Sequence, residues 1–369
     1  MRIFKRKLYD KLLEWKNNRH GKTAVLIEGA RRVGKSTLTK QFAENEYESY
    51  VMIDFSIVRD DVLELFNHID DLDYFFLQLQ FRLGVSLKER KSLVIFDEVQ
   101  KCPKARQAIK HLVADGRYDY IETGSLISIK KNVKDILIPS EEEKLFLYPM
   151  DYEEFKWALG DNTAIPQLRM LFDKKLSIGD AVTRKLMRDF RIYMVVGGMP
   201  QAVDTYIDTN NLMEVDRVKR NIIQLYDDDF YKIDSSGRLS MLFDAIPAQL
   251  NSNASRYQVA SAIGSNTNSE KVLQLISELR ESMTINMAYH ANDPGVGMSL
   301  VMNLNKYKMY IGDTGLFITL AFKDKDFTEN IIYQKMMSDK LDTNLGYVYE
   351  NMVAQMLTAT GNRLFYYTF

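Results

Sequence analysis

The chain has 369 residues, 46% of them hydrophobic and 27% charged, with a net charge of −1; this is the balance of a soluble globular protein with room for two or three domains, and it excludes a chain that is basic throughout. The lone cysteine, Cys102, excludes an internal disulfide framework and fits a reducing compartment, and the scattered His20, His68, His111 and His290 offer no zinc spacing. No run reaches membrane-spanning length, and the basic start MRIFKRKLYDKLLEW is broken by charge, so it reads as an amphipathic helix and not a signal peptide; a cytoplasmic protein without a membrane partner is expected.

In chain order, TAVLIEG (23–29) predicts a strand and KSTLTKQFAENEY a helix. SYVMIDF (49–55) predicts a second strand, DDLDYFFLQLQFRLGV a helix, SLVIFDEV (92–99) a buried strand, and KARQAIKHLVADG a helix ending at Gly116. YDYIETG (118–124) and KLFLYP (144–149) complete five strands; strands alternating with helices imply an α/β fold with a parallel sheet covered on both faces. After Pro149 the texture is helical through 165–235, interrupted by Gly197-Gly198 and Pro200 in MVVGGMPQAV. From about Leu239, LSMLFDAIPAQL, SRYQVASAIG and SEKVLQLISELRES predict three helices, with Val272, Leu275, Ile276 and Leu279 of the last on one face. MTINMAY, a Gly-Pro turn and MSLVMNL predict a hairpin, and three helices plus a hairpin make a winged-helix arrangement. The sequence stops on the apolar run RLFYYTF, and because an uncovered strand would expose its edge and its apolar face, the chain is expected to be cut inside a further domain.

Charge is uneven along this order. Residues 1–40 hold twelve Lys and Arg against three acidic residues, and residues 44–73 hold ten acidic residues against one arginine; both runs read as solvated faces.

The run Gly29-Ala30-Arg31-Arg32-Val33-Gly34-Lys35-Ser36 fits G-x-x-x-x-G-K-[ST] at every fixed position, with a strand before it and a helix after it. The glycines allow backbone conformations that turn several N–H groups into one concavity, and the helix start presents unpaired N–H groups to the same anion. Lys35 then reaches the β- and γ-phosphates, and the Ser36 hydroxyl is a hard oxygen suited to Mg²⁺. LVIFDEV ends a strand on Asp97-Glu98. Alone, this pair could equally cap the next helix. Beside the phosphate loop, Asp97 is expected to hold Mg²⁺ through water, and Glu98, expected on the other side of the strand's pleat, to orient or deprotonate an attacking water. Thr123 and Ser125, at the end of YIETGS, can sense a γ-phosphate if that strand lies between the loop strand and the Asp97 strand; otherwise they are a polar turn. Arg31, Arg32 and Arg191 are candidates for additional transition-state charge, and nothing in the sequence selects among them; Arg31 and Arg32 read more simply as solvated loop residues.

In order, GARRVGKST, LVIFDEVQKCP, ETGS, LYPMDYEEFKWALG, VGGMPQAV, YIGDTGLF and GYVYENMVAQML resemble the bacterial and archaeal AAA-type ATPases fused to a C-terminal domain of unknown function. The resemblance covers essentially the whole chain, and its YPMDYEEF, GGMP and DTGL motifs are the specific ones. It implies an AAA-like core with the sensor strand between the loop strand and the Asp97 strand, then a helical region, a winged helix and a restriction-endonuclease-like domain. By residue it implies Gly29, Gly34, Lys35, Ser36 and Thr37 in the nucleotide loop, Asp97 and Glu98 as the Walker B pair, and Thr123 as the sensor. Many members carry Gly-Arg shortly before the YP motif; here the stretch is KNVKDILIPSEEEKLFLYP, and no arginine is assigned to that role. Glu350, in what the resemblance makes the opening helix of the nuclease-like domain, reads as a helix-surface carboxylate.

The expected domains are an ATPase core at 1–160, a helical lid or linker at 161–235, a winged helix at 236–320 and an incomplete nuclease-like start at 321–369. The expected activity is Mg-dependent ATP hydrolysis coupled to movement of the C-terminal domains, with ATP and Mg as cofactors. The competing readings are a nucleotide-gated switch with little turnover and a DNA-binding protein. A DNA or protein client and a homo-oligomer are both compatible with the pattern, and the sequence selects no client. The helix at Ser269–Ser282 carries Lys271 and Arg280 but also Glu270, Glu278 and Glu281, poor material for neutralising phosphates. Asp227, Asp228 and Asp229 read as a solvated helix face, not a metal cluster.

Overall fold

A computed structural model describes residues 2–124, 140–265, 268–295, 297–323, 327–328, 330–338 and 346–368. Five strands form in the predicted order, β1 (Ala24–Glu28), β2 (Ser49–Asp54), β3 (Ser92–Asp97), β4 (Asp119–Gly124) and β5 (Glu142–Phe146), the last beginning and ending earlier than the expected 144–149. They form one sheet in the order β2-β3-β4-β1-β5, with every pairing parallel. This is the P-loop NTPase topology, with β4 inserted between β1 and β3. β1, β3 and β4 are buried along their whole lengths, as inner strands covered on two faces must be.

Two helical layers supply the cover. α1 (Lys7–Arg19) and α2 (Lys35–Glu46) place Leu8, Leu12, Trp15, Leu38 and Phe42 against Val25, Ile27, Leu93, Ile95 and Ile121. On the other face, α3 (Asp60–Leu63), α4 (Leu72–Leu83) and α5 (Pro103–Asp115) pack Val62, Phe75, Phe76, Ile109 and Leu112 against Ala24, Leu26, Val94, Phe96 and Tyr120. α5 is punctuated as its sequence suggests: Pro103 opens it, where a missing N–H costs nothing, and Gly116 closes it at φ 75°. Each fully buried side chain such as Ile109 or Leu112 contributes about 1.5–3 kcal/mol of transfer free energy. These elements make up one unit, Lys5–Leu147.

The second unit comprises Met1–Phe4 and Tyr148–Phe369. Its helices begin with α6 (Tyr152–Ala158), started by a capping box between Asp151 and Glu154. α7 (Ala164–Asp173), α8 (Asp180–Val196), α9 (Pro200–Thr209) and α10 (Leu212–Ile233) follow with no strand among the described residues. The single helix expected over LSMLFDAIPAQL is two, α11 (Arg238–Asp244) and α12 (Ile246–Asn251). Pro247 has no N–H to continue the ladder, so a new helix starts there. α13 (Val259–Ile263) and α14 (Ser269–Glu281) precede the predicted hairpin, β6 (Ile285–Ala291) and β7 (Met302–Ile311). α15 (Thr314–Ala321), α16 (Asn330–Ser338) and α17 (Gly346–Ala359) lead to β8 (Leu364–Tyr366). β8 pairs in parallel with β6, so the terminal run adds a strand to the hairpin sheet in the order β7-β6-β8. Glu350 of α17, expected on a helix surface, accepts hydrogen bonds from Lys308 Nζ at 2.7 Å and the Tyr310 hydroxyl at 2.8 Å.

The YPM, GGMP and DTGL motifs meet inside this second unit. Met150 N–H donates to the Gly198 carbonyl at 2.7 Å, and the Tyr193 hydroxyl to the Met150 carbonyl at 2.7 Å. Asp313 caps α15 by accepting from Leu316 N–H at 2.9 Å, and its other oxygen accepts from Gly198 N–H at 2.5 Å. The buried Lys219 donates to the carbonyls of Val195 at 2.8 Å and Gly315 at 3.3 Å. Burial pushes the Lys219 ammonium down to about 8 and the Asp313 carboxyl up. These motifs are a packing joint: only glycine fits at 315, where a Cβ would lie 2.6 Å from the Gly197 Cα.

Candidate nucleotide-binding site

The loop after β1 is built for close backbone approach. Gly34, at φ 101°, sits where an L side chain is strained and starts α2 by accepting from Leu38 N–H at 3.0 Å. A side chain at Gly29 would collide with the Leu147 carbonyl and come within 3.1 Å of Val33 Cγ1. Arg31 and Arg32 are exposed, as expected of solvated loop residues, and Arg32 takes a left-handed φ of 67°. Ala30 and Val33 are buried beneath the loop, and Thr37 is half-buried on the first turn of α2.

Lys35 is almost fully enclosed and turns back over the loop, its Nζ donating to the carbonyls of Gly29 at 2.9 Å and Ala30 at 3.0 Å. Burial lowers its pKa and nearby Arg31 adds to that, while Glu98 and Asp97 oppose it. An ammonium here is therefore primed for a ligand that brings negative charge.

The Asp97 carboxylate ends β3 and collects two hydroxyls on its Oδ1. Ser36 Oγ donates to it at 2.9 Å, and Thr123 Oγ1 donates to the same oxygen. Loop helix, β3 tip and β4 tip are thus tied at one atom. Glu98, the next residue, is half-buried in a left-handed conformation (φ 54°), outside the strand's pleat, and accepts a hydrogen bond from the Gln100 amide. Ser125 lies outside the described residues, and Arg191 belongs to α8 of the second unit.

Two nearby residues escaped the sequence reading. Arg6 is buried and donates from Nη1 to the Val33 carbonyl at 3.0 Å, bracing the loop from below. Nothing distinguishes it from its neighbours Lys5 and Lys7 except the fold. Asp54 ends β2 in register with Asp97, so it sits beside the site's carboxylate; its Oδ1 accepts from Ser56 N–H at 2.8 Å. The signal was present, an acid at the tip of the second strand, but its neighbour is set by strand order.

The remaining candidates are elsewhere. Asp228 is exposed and Asp229 pairs with Lys232 at 2.9 Å, as a solvated face would; Asp227 is half-buried, and burial beside Asp244 raises its pKa. No group of three or more acidic, histidine or cysteine residues suited to a metal ion occurs among the described residues. Lys271 lies 3.9 Å from Asp234, and Cys102 is buried. Among the described residues, no helix is long and apolar enough to cross a membrane.

Residues 21–156 match the family described as AAA domain, and residues 187–326 match one described as Domain of unknown function (DUF8612). With the sheet order and the loop, the first match makes this segment an AAA-type P-loop ATPase domain. Among solved structures, the chain is similar to the Walker-type ATPase of Pyrococcus abyssi at 16% identity and a TM-score of 0.50, over 86% of this chain and 96% of that one. It is also similar to AMPPCP-bound DnaA from Aquifex aeolicus (12% identity, TM-score 0.32, 75% and 88% covered). A third match is Cdc6p from Pyrobaculum aerophilum (12% identity, TM-score 0.26, 90% and 93% covered). No curated protein matches the chain.

Proposed function

We propose that the protein binds Mg-ATP in the loop Gly29–Thr37 and hydrolyses it with a water positioned by Glu98. The observation that carries this reading is the convergence of Ser36 and Thr123 on Asp97, from segments 61 and 26 residues away. Two hydroxyls and a carboxylate in one hydrogen-bonded group are hard oxygen donors, the kind magnesium takes. Ser36 and Asp97 would hold that ion, which when bound neutralises charge on the β- and γ-phosphoryl oxygens. The amides of residues 30–36 cradle the phosphates, and Lys35 exchanges its carbonyl partners for phosphate oxygens. Thr123 reports on the γ-phosphate. Glu98 accepts the proton of the attacking water while the bond from the γ-phosphorus to the bridging oxygen breaks and that oxygen leaves on ADP.

Hydrolysis is coupled in this reading to movement of the C-terminal parts, a winged helix at 236–320 and a nuclease-like start at 321–369, which act on a DNA or protein client in the cytoplasm. Lys35→Met keeps the apolar stem and removes the charge. ATP affinity measured by calorimetry is expected to fall by about 100-fold, the loss of a buried charge-assisted contact of about 3 kcal/mol. Unchanged affinity would overturn the assignment of the loop.

A further inference from the structure

The α4–α5 side of the first unit's sheet carries a cluster of charges that the nucleotide site does not use. Along β4, Tyr120 packs into the α4–α5 core and Ile121 into the α1–α2 core. Alternation therefore turns Glu122 toward α5 and Thr123 toward the other face. Glu122 interacts with Glu142 and Lys144 on β5 and with Arg106 on α5, and Glu28 at the end of β1 interacts with the same three. Arg106 Nη2 pairs with Glu142 Oε1 at 3.0 Å, both side chains 1% exposed, and Lys144 Nζ pairs with Glu28 Oε1 at 3.2 Å. Three carboxylates thus face two cations, and each cation is engaged by a carboxylate other than Glu122. Glu122 is fully buried, and neither of its oxygens meets a donor among the described residues; Glu142 Oε2 is likewise unmatched, and so are Nε and Nη1 of Arg106, which leaves Nη2 as the guanidinium's paired nitrogen.

An ionised carboxylate buried without a donor is costly enough that the group takes up a proton instead. We propose that Glu122 carries a proton in the folded protein and donates it to the Glu142 carboxylate, tying β4 to β5 across β1 and holding in place the β4 tip where Thr123 meets Asp97. Glu122 is in this sense a positioning residue for hydrolysis. That part rests on the ATPase reading; the proton itself does not. Burial raises the Glu122 pKa well above the carboxylate range and the Glu142 carboxylate raises it further, against the pull of Arg106 and Lys144. Burial also raises Glu28, with Lys144 opposing. The sign for stability follows. The folded chain keeps a proton that the unfolded chain releases above a pH of about 4.3, so stability falls as pH rises from there to the folded pKa and then levels.

Infrared spectroscopy of the full chain at neutral pH tests the proton directly. The wild type is expected to show the carbonyl band of a neutral carboxylic acid, shifted in heavy water and missing from Glu122→Gln. Glu122→Gln, which keeps a neutral donor, is also expected to lose the fall in melting temperature with rising pH. Absence of the band, or an undiminished band intensity in Glu122→Gln, overturns the proposal whether or not the protein hydrolyses ATP. For the positioning role, Glu122→Leu is expected to lower kcat about tenfold with KM unchanged, the effect of one misplaced polar contact. Glu122→Gln is expected to restore kcat and flatten its alkaline limb. A Leu variant with wild-type kcat would leave Glu122 a proton holder with no part in positioning.

Discussion

Glu98→Gln is expected to slow phosphate release by about 10²–10⁴-fold while leaving ATP affinity nearly unchanged, the loss of a positioned general base. The substitution is isosteric, keeps the backbone atoms and removes only the capacity to take a proton. The local geometry supports assigning the effect to Glu98. Its φ of 54° is a conformation few non-glycine residues adopt, at a cost on the order of 1 kcal/mol or more, and it carries the carboxylate away from the direction β3 would give it. The Gln100 amide holds it there. Asp97, one residue earlier, stays in the strand and faces Ser36. The two acids are thus given separate positions by one change of backbone region, as separate roles in ion binding and water activation require. The nucleotide-gated switch expects the opposite result: wild type and Glu98→Gln release phosphate at the same slow rate. Single-turnover phosphate release separates the two.

The second large effect is on folding. Gly198→Ala is expected to destabilise the second unit by on the order of 4 kcal/mol, from overpacking of about 1–3 kcal/mol together with two disturbed hydrogen bonds of about 1 kcal/mol each. A methyl there would stand 2.7 Å from the Met150 nitrogen and 2.9 Å from its carbonyl carbon, and nearer still to the carbonyl oxygen. The backbone cannot yield cheaply: the Gly198 carbonyl is held by Met150 N–H and its N–H by Asp313. Gly84→Ala is the control. Gly84 sits at φ 66° with nothing within 4 Å of a Cβ, so only the left-handed backbone penalty of about 1–2 kcal/mol applies. Denaturant unfolding of the full chain, followed by one probe in each unit, compares the loss that each variant causes in its own unit. Equal losses in the two variants would mean that the joint is not tightly packed.

The five strands, the loop and the Asp97-Glu98 pair were legible because each depends on local pattern: continuous apolar runs in buried strands, glycines at fixed spacing, an acid at a strand end. That β4 lies between β1 and β3, which brings Thr123 to Asp97, was expected from family resemblance and is a property of strand order. Arg6, Asp54 and the Glu122 cluster were not legible. Each matters only through a partner far away in sequence, and a glutamate in IETG looks the same as one facing water until a sheet and α5 close over it. GGMP and DTGL were recognised as motifs, yet their shared job, close contact of Gly197 with Gly315 and capping by Asp313, required the packed second unit. The split at Pro247 could have been read, since proline cannot extend a helix from within it.

The most direct measurement is the affinity for a non-hydrolysable ATP analogue with and without magnesium, in the wild type and in Asp97→Asn. Magnesium is expected to tighten wild-type binding by about tenfold or more, a coupling of at least about 1.4 kcal/mol, and to give Asp97→Asn no such gain. Equal affinity with and without magnesium in the wild type, or an undiminished magnesium effect in Asp97→Asn, would contradict a site in which the loop Gly29–Thr37 holds the phosphates and Asp97 holds their metal.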